Sequence, residues 1–138
     1  MNMNYTHDQM AALLLRVALG SIMIAHSLYL KMVVFSLAGT SQYFESIGLP
    51  GALAYLVFVI EAIAGGALIL GFKTRFFSIL LVPVLLGATW AHGSNGWLFT
   101  NANGGWEYPL FLAIAALTQA LLGDGAYGIS STRRLIPA

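Results

Sequence analysis

A bundle of membrane-spanning α-helices is the fold class this sequence predicts, and three observations predict it. Hydrophobic residues make up 59% of the 138-residue chain and charged residues only 8%. A water-soluble domain is usually about a quarter charged, because its surface must face water. Eleven charged residues cannot cover a soluble domain of this size, so lipid is the solvent for most of the surface. Mean hydropathy is correspondingly high, at +0.81. Finally, the apolar residues fall into four segments, each near the ~20 residues a helix needs to cross a bilayer. A mass of 14.8 kDa predicts one domain over residues 1–138.

The first helix is expected over about 10–30, interrupted only by Arg16 and His26. Residues 1–10 lack the basic start of a secretory signal peptide, so this segment reads as a retained span. The second helix is expected over about 51–72, with a single charge, Glu61, near its middle. The third, about 76–92, is uncharged until His92, and Pro83 inside it removes the partner of the Ile79 carbonyl. The fourth, about 106–123, is short and carries Pro109 in its first turn, where proline is tolerated. Only Lys73, Thr74 and Arg75 separate the second and third segments, which makes them an antiparallel hairpin. The connections 31–50 and 93–105 then lie at the opposite end.

Basic residues set the expected orientation. Lys73 and Arg75 mark one side, and Arg133 and Arg134 mark the same side after four crossings. The positive-inside rule puts the N- and C-termini in the cytoplasm. Trp90, Trp97 and Trp106 then gather at the outer face, as interfacial aromatics do. Cysteine is absent, which excludes disulfides, thiol chemistry and thiolate metal sites. A net charge of +1 gives no support to nucleic-acid binding.

Function is sought among the ionisable groups at bilayer depth, which are costly and normally face a partner inside the bundle. Arg16 is expected ~9 Å in from the cytoplasmic face and Glu61 ~15 Å in from the outer one. Their offset is within reach of an arginine side chain, so an Arg16–Glu61 pair tying helices one and two is expected. The competing reading makes Glu61 a proton carrier or a polar contact in a cavity. Gly65 and Gly66, on the next turn, either allow close helix packing or leave room for a ligand. His26, His92 and Glu107 are expected at one level near the outer face. They read as an interfacial polar cap rather than a metal site, because their spacing matches no ligand motif. A haem between His26 and His92 is the minor alternative. The segment 92–109, rich in glycine, asparagine and tryptophan, is expected either to cover the outer end as a lid or to form an ordinary interfacial turn.

Taken in order, these residues resemble the DoxX family of small bacterial membrane proteins. The resemblance runs from Arg16 to about Ile129 and rests on Arg16, Gly20, His26 and Lys31; Gly48-Leu49-Pro50; Glu61 with Gly65-Gly66; Gly71 and Arg75; His92; Gly104-Gly105-x-Glu107-Tyr108-Pro109; and Gly123-x-Gly125. Ser27 stands where family members often have glycine. The resemblance implies a four-helix bundle in the bacterial inner membrane and an association with oxidoreductase systems, including a subunit of a thiosulfate:quinone oxidoreductase. It supplies no catalytic residues.

Three functions fit these features. One is a redox-linked subunit that binds a quinone or similar small aromatic molecule, in an apolar cavity with a few polar groups. Its ligand contacts would come from Arg16, His26, Glu61, His92, Trp97, Trp106 and Glu107, with Glu61, His92 and Glu107 the candidates for a catalytic role. Lacking cysteine, a flavin motif or a haem signature, it would exchange electrons with a partner redox protein. The second is a structural or assembly subunit, in which the buried charges only organise helices. The third is a small-metabolite transporter, for which four short helices would require a homo-oligomer.

Overall fold

The computed structural model describes residues 5–132 and is all-α over them. The first helix, α1 (His7–Ile24), opens on a capping box: the Thr6 hydroxyl accepts from the Gln9 N–H, and the Gln9 side chain accepts from the Thr6 N–H. It continues without a break into a π-helical segment, Ala25–Val34. Together they form one apolar span of 28 residues, close to 40 Å at ~1.5 Å per residue. Ser36 then turns the chain and caps a short helix, α2 (Leu37–Ser46). Three longer helices follow: α3 (Ala52–Leu70), α4 (Thr74–Ala91) and α5 (Glu107–Leu122), with a terminal turn α6 (Ile129–Thr132).

One connection differs from the expectation. The connection 31–50 is largely helical, because the apolar run Leu28–Phe35 extends the first span and Ser36 nucleates α2. Lys31 therefore sits on a helix, not in a loop. The third span is the helix expected there and runs through Pro83 without a break. Arg133 and Arg134, which entered the orientation argument, lie outside the described residues.

The four long elements close a ring, α1 on α3, α3 on α4, α4 on α5 and α5 back on α1, while α2 packs on α3 and the π segment. The centre is filled by Leu19, Met23, Leu68, Leu81, Leu85 and Leu112, with Ala64, Ala113 and Ala116 between them. Outward positions are also apolar: Leu56, Ile63, Ile79, Phe111, Ile114 and Leu121 are all exposed. A helix that is hydrophobic on every side has lipid, not water, beyond its packed face. Three helices are long and apolar enough to cross a membrane, and the 16-residue α5 is a shorter apolar helix.

Close contact between α1 and α3 sets the register of the bundle. A methyl group on Gly20 would lie 2.7 Å from the Gly65 carbonyl oxygen, and one on Gly65 would lie 2.9 Å from that of Gly20. The two backbones therefore touch, as small residues permit at helix crossings in lipid. Gly65 serves packing, and the space it leaves is taken up by α1.

Candidate functional site

From the Gly20–Gly65 crossing, the positions of the buried charges follow. The helices run antiparallel, so one turn back from Gly20 places Arg16 against Ile69, one turn beyond Gly65. Arg16 is 1% exposed. Its guanidinium donates Nε to the Asp124 carbonyl, Nη1 to the carbonyls of Leu68 and Ile69, and Nη2 to that of Ala126. Leu68 and Ile69 lie in the last turn of α3, at the negative end of the helix dipole, and the Leu68 carbonyl accepts the N–H of the capping Gly71 as well as the guanidinium. One arginine thus joins α1, the end of α3 and the segment after α5. Gly71, in the left-handed conformation that closes α3, gives the guanidinium its room: a Cβ there would be 2.9 Å from Arg16 Cζ.

The expected Arg16–Glu61 pair does not form. Glu61 lies two turns away from the Arg16 contacts, and its carboxylate instead accepts from Lys31, with Nζ 2.6 Å from Oε2. Helical side chains lean toward the N-terminus of their helix, so the lysine stem points back along the π segment to reach Glu61. Both groups are largely enclosed, with 16% of the Lys31 side chain and 7% of the Glu61 side chain exposed. The second carboxylate oxygen, Oε1, has no hydrogen-bond partner among the described residues.

At the same end of the bundle, one π-turn before Lys31, lies half-buried His26. Its Nδ1 is 2.9 Å from the Ile22 carbonyl oxygen, which fixes the proton on Nδ1 in the neutral ring and leaves Nε2 as an acceptor. The ring stacks on Tyr108 in the first turn of α5, with centroids 6.3 Å apart and planes 29° from parallel. Neither His26 Nε2 nor the Tyr108 hydroxyl has a partner among the described residues. Tyr108 is 38% exposed, so the pair opens to the surface of the bundle.

The remaining expected residues organise the loop between α4 and α5. His92 Nδ1 is 3.3 Å from Asn95 Nδ2, and Asn95 Nδ2 also donates to the Asn103 carbonyl. Glu107 accepts the Phe99 N–H at 2.8 Å, while its own N–H donates to the Trp97 carbonyl and that of Trp106 to Gly96. Trp97 and Trp106 pack edge to face at 4.4 Å. The loop is therefore folded back on itself and fastened at its base by Glu107. His26, His92 and Glu107 each have separate partners, and no group of three metal-ligating side chains occurs among the described residues.

Sequence reasoning missed Tyr108 and Asp124 as contacts and took Lys31 for a loop residue. The signal for Lys31 was present in the apolar residues on both sides of it. Asp124 lies between the two glycines of Gly123-x-Gly125; its carboxylate accepts the Thr74 N–H at the start of α4, and its carbonyl takes Arg16.

An all-α chain with a packed apolar centre, an apolar exterior and charges tied up inside is an integral membrane protein built as a small helical bundle. The chain belongs to the DoxX family, whose model matches residues 11–94. It is 33% identical over 116 residues, 84% of this chain and 81% of the relative, to the protein named "Putative oxidoreductase CatD" of Bacillus subtilis (strain 168). It is 34% identical over 98 residues, 67% of this chain and 70% of the relative, to the inner membrane protein YqjF of Escherichia coli (strain K12). No solved structure matches.

Proposed function

We propose that this protein is a redox-linked subunit of the bacterial inner membrane that holds a quinone-type molecule beside His26 and Tyr108. The observation that carries the reading is this stacked pair, with an imidazole nitrogen and a phenol hydroxyl both unengaged at the bundle surface. A lipid-borne quinone reaches such a site from the bilayer without entering the packed core. The Tyr108 hydroxyl donates to a quinone carbonyl, and His26 Nε2 accepts from a quinol hydroxyl. Oxidation of the quinol releases two protons and two electrons; His26 takes one proton, the second goes to water at the membrane surface, and a partner redox protein takes the electrons. The Lys31–Glu61 pair, one turn further along, sets the charge near the site. The name of the Bacillus subtilis relative, an oxidoreductase, agrees with this reading, and that of the Escherichia coli relative agrees with the location. Four crossings with both termini inside fit the Lys73–Arg75 turn at one end and the tryptophan-bearing loop at the other.

The test is the quinone content of detergent-purified protein, read by mass spectrometry of an organic extract. The account expects about one quinone per site in the wild type and loss of it in the H26L/Y108F variant. Equal content in both sinks the assignment. A second reading, a purely structural or assembly subunit, is favoured by Arg16, whose four bonds all go to backbone. It predicts no extractable ligand.

A further inference from the structure

At the end of the bundle away from His26, an open cleft of about 490 Å³ lies over the α3–α4 turn, lined by Phe72, Lys73, Arg75, Phe76, Asp124 and Ser130, among others. Its two cations are not paired with a carboxylate among the described residues. The Lys73 ammonium sits 5.7 Å over the Phe72 ring, and the Arg75 guanidinium lies against Gly123. The acid in the cleft is already engaged, since Asp124 caps α4 through the Thr74 N–H. Ser130 accepts the Lys73 N–H through its hydroxyl oxygen at 3.0 Å, which leaves the hydroxyl proton free to donate. Lys73 also holds a left-handed backbone (φ 44°) that lysine rarely adopts, a strain typical of positions fixed by function.

The surroundings decide what kind of anion fits. The cleft sits between the last turn of α3 and the first turn of α4, at the level where hydrocarbon gives way to headgroups. Phe76 and Ile79, three residues apart on α4, continue from it as an exposed apolar stripe. Two cations and a hydroxyl above an apolar stripe match a phosphate with an acyl chain attached. We propose that this cleft binds an anionic phospholipid, its phosphate held by Lys73, Arg75 and Ser130 and one chain laid along Phe76 and Ile79.

Native mass spectrometry of the detergent-solubilised full chain, titrated with phosphatidylglycerol or phosphatidylcholine, tests the proposal. The wild type is expected to retain phosphatidylglycerol in preference. K73Q/R75Q is expected to lower that retention roughly 10- to 30-fold, to the phosphatidylcholine level, while K73R/R75K keeps it; circular dichroism verifies that each variant is helical. R133Q/R134Q is expected to leave the preference in place. The proposal is overturned if the wild type shows no preference, if K73Q/R75Q retains it, or if R133Q/R134Q alone removes it. Displacement of the lipid by millimolar inorganic phosphate would also overturn it, because the site would then be one for free phosphate.

Discussion

The two ends of this bundle neutralise buried charge in opposite ways. At one end Arg16 has no side-chain partner at hydrogen-bonding distance among the described residues and is satisfied by four backbone carbonyls. At the other, Lys31 and Glu61 satisfy each other, and the neighbouring His26 and Tyr108 keep polar atoms unengaged. A guanidinium bound by main chain cannot change partners without moving helices. A side-chain pair next to unengaged groups can change protonation or partner while the fold stays in place. The contrast supports the proposal that the first end serves architecture and the second ligand chemistry.

Substitution at Arg16 should break the comparison most severely. R16M strands carbonyls from two segments, and a buried acceptor left without its donor typically costs about 1–3 kcal/mol. Thermal unfolding in detergent should show loss of most folded protein. R16K is expected to rescue little, because one ammonium cannot reach carbonyls on both sides as the guanidinium fork does. A stable R16M protein would remove the architectural role.

Next in size is the helix crossing. G65A places a methyl 2.9 Å from the Gly20 carbonyl oxygen, and overpacking of this kind costs about 1–3 kcal/mol. The same measurement should rank it below R16M. E61Q should follow, at roughly 1–2 kcal/mol, between the limits for exposed and buried pairs. K31M/E61Q should be more stable than E61Q alone, since no unpaired lysine remains; a double variant no better than the single would deny the pairing. Smaller again, E107A loses the bond to the Phe99 N–H, worth about 0.5–1.5 kcal/mol, and should speed proteolysis within residues 96–103 while leaving the bundle intact.

The fold class was legible because it depends on composition and on the length of apolar runs, both of which are local quantities. Partners of the buried charges were not, because they depend on register. Nothing in the sequence pairs Gly20 with Gly65, and a shift of two turns is enough to replace Arg16 with Lys31 as the partner of Glu61. The first helix was expected to end at about residue 30, which put Lys31 in the connection, whereas the helix continues to Val34 and the Lys31 side chain reaches Glu61. His26, His92 and Glu107 were found as a group by depth alone. The structure separates them because the loop after His92 folds back and engages His92 and Glu107 locally. Tyr108 was passed over as part of Tyr-Pro-Leu, although it is the ring that meets His26.

The assignment of the two ends is tested most directly by quinone titration of the protein in nanodiscs, followed by tryptophan fluorescence. Trp97 and Trp106 lie in the loop that leads into the first turn of α5, where Tyr108 meets His26, and quinones quench indole emission. The account predicts saturable quenching in the wild type. In H26L/Y108F it predicts at least ~10-fold weaker binding by a variant that circular dichroism shows to be as helical as the wild type. Quenching that never saturates, or that saturates identically in the double variant, would contradict it.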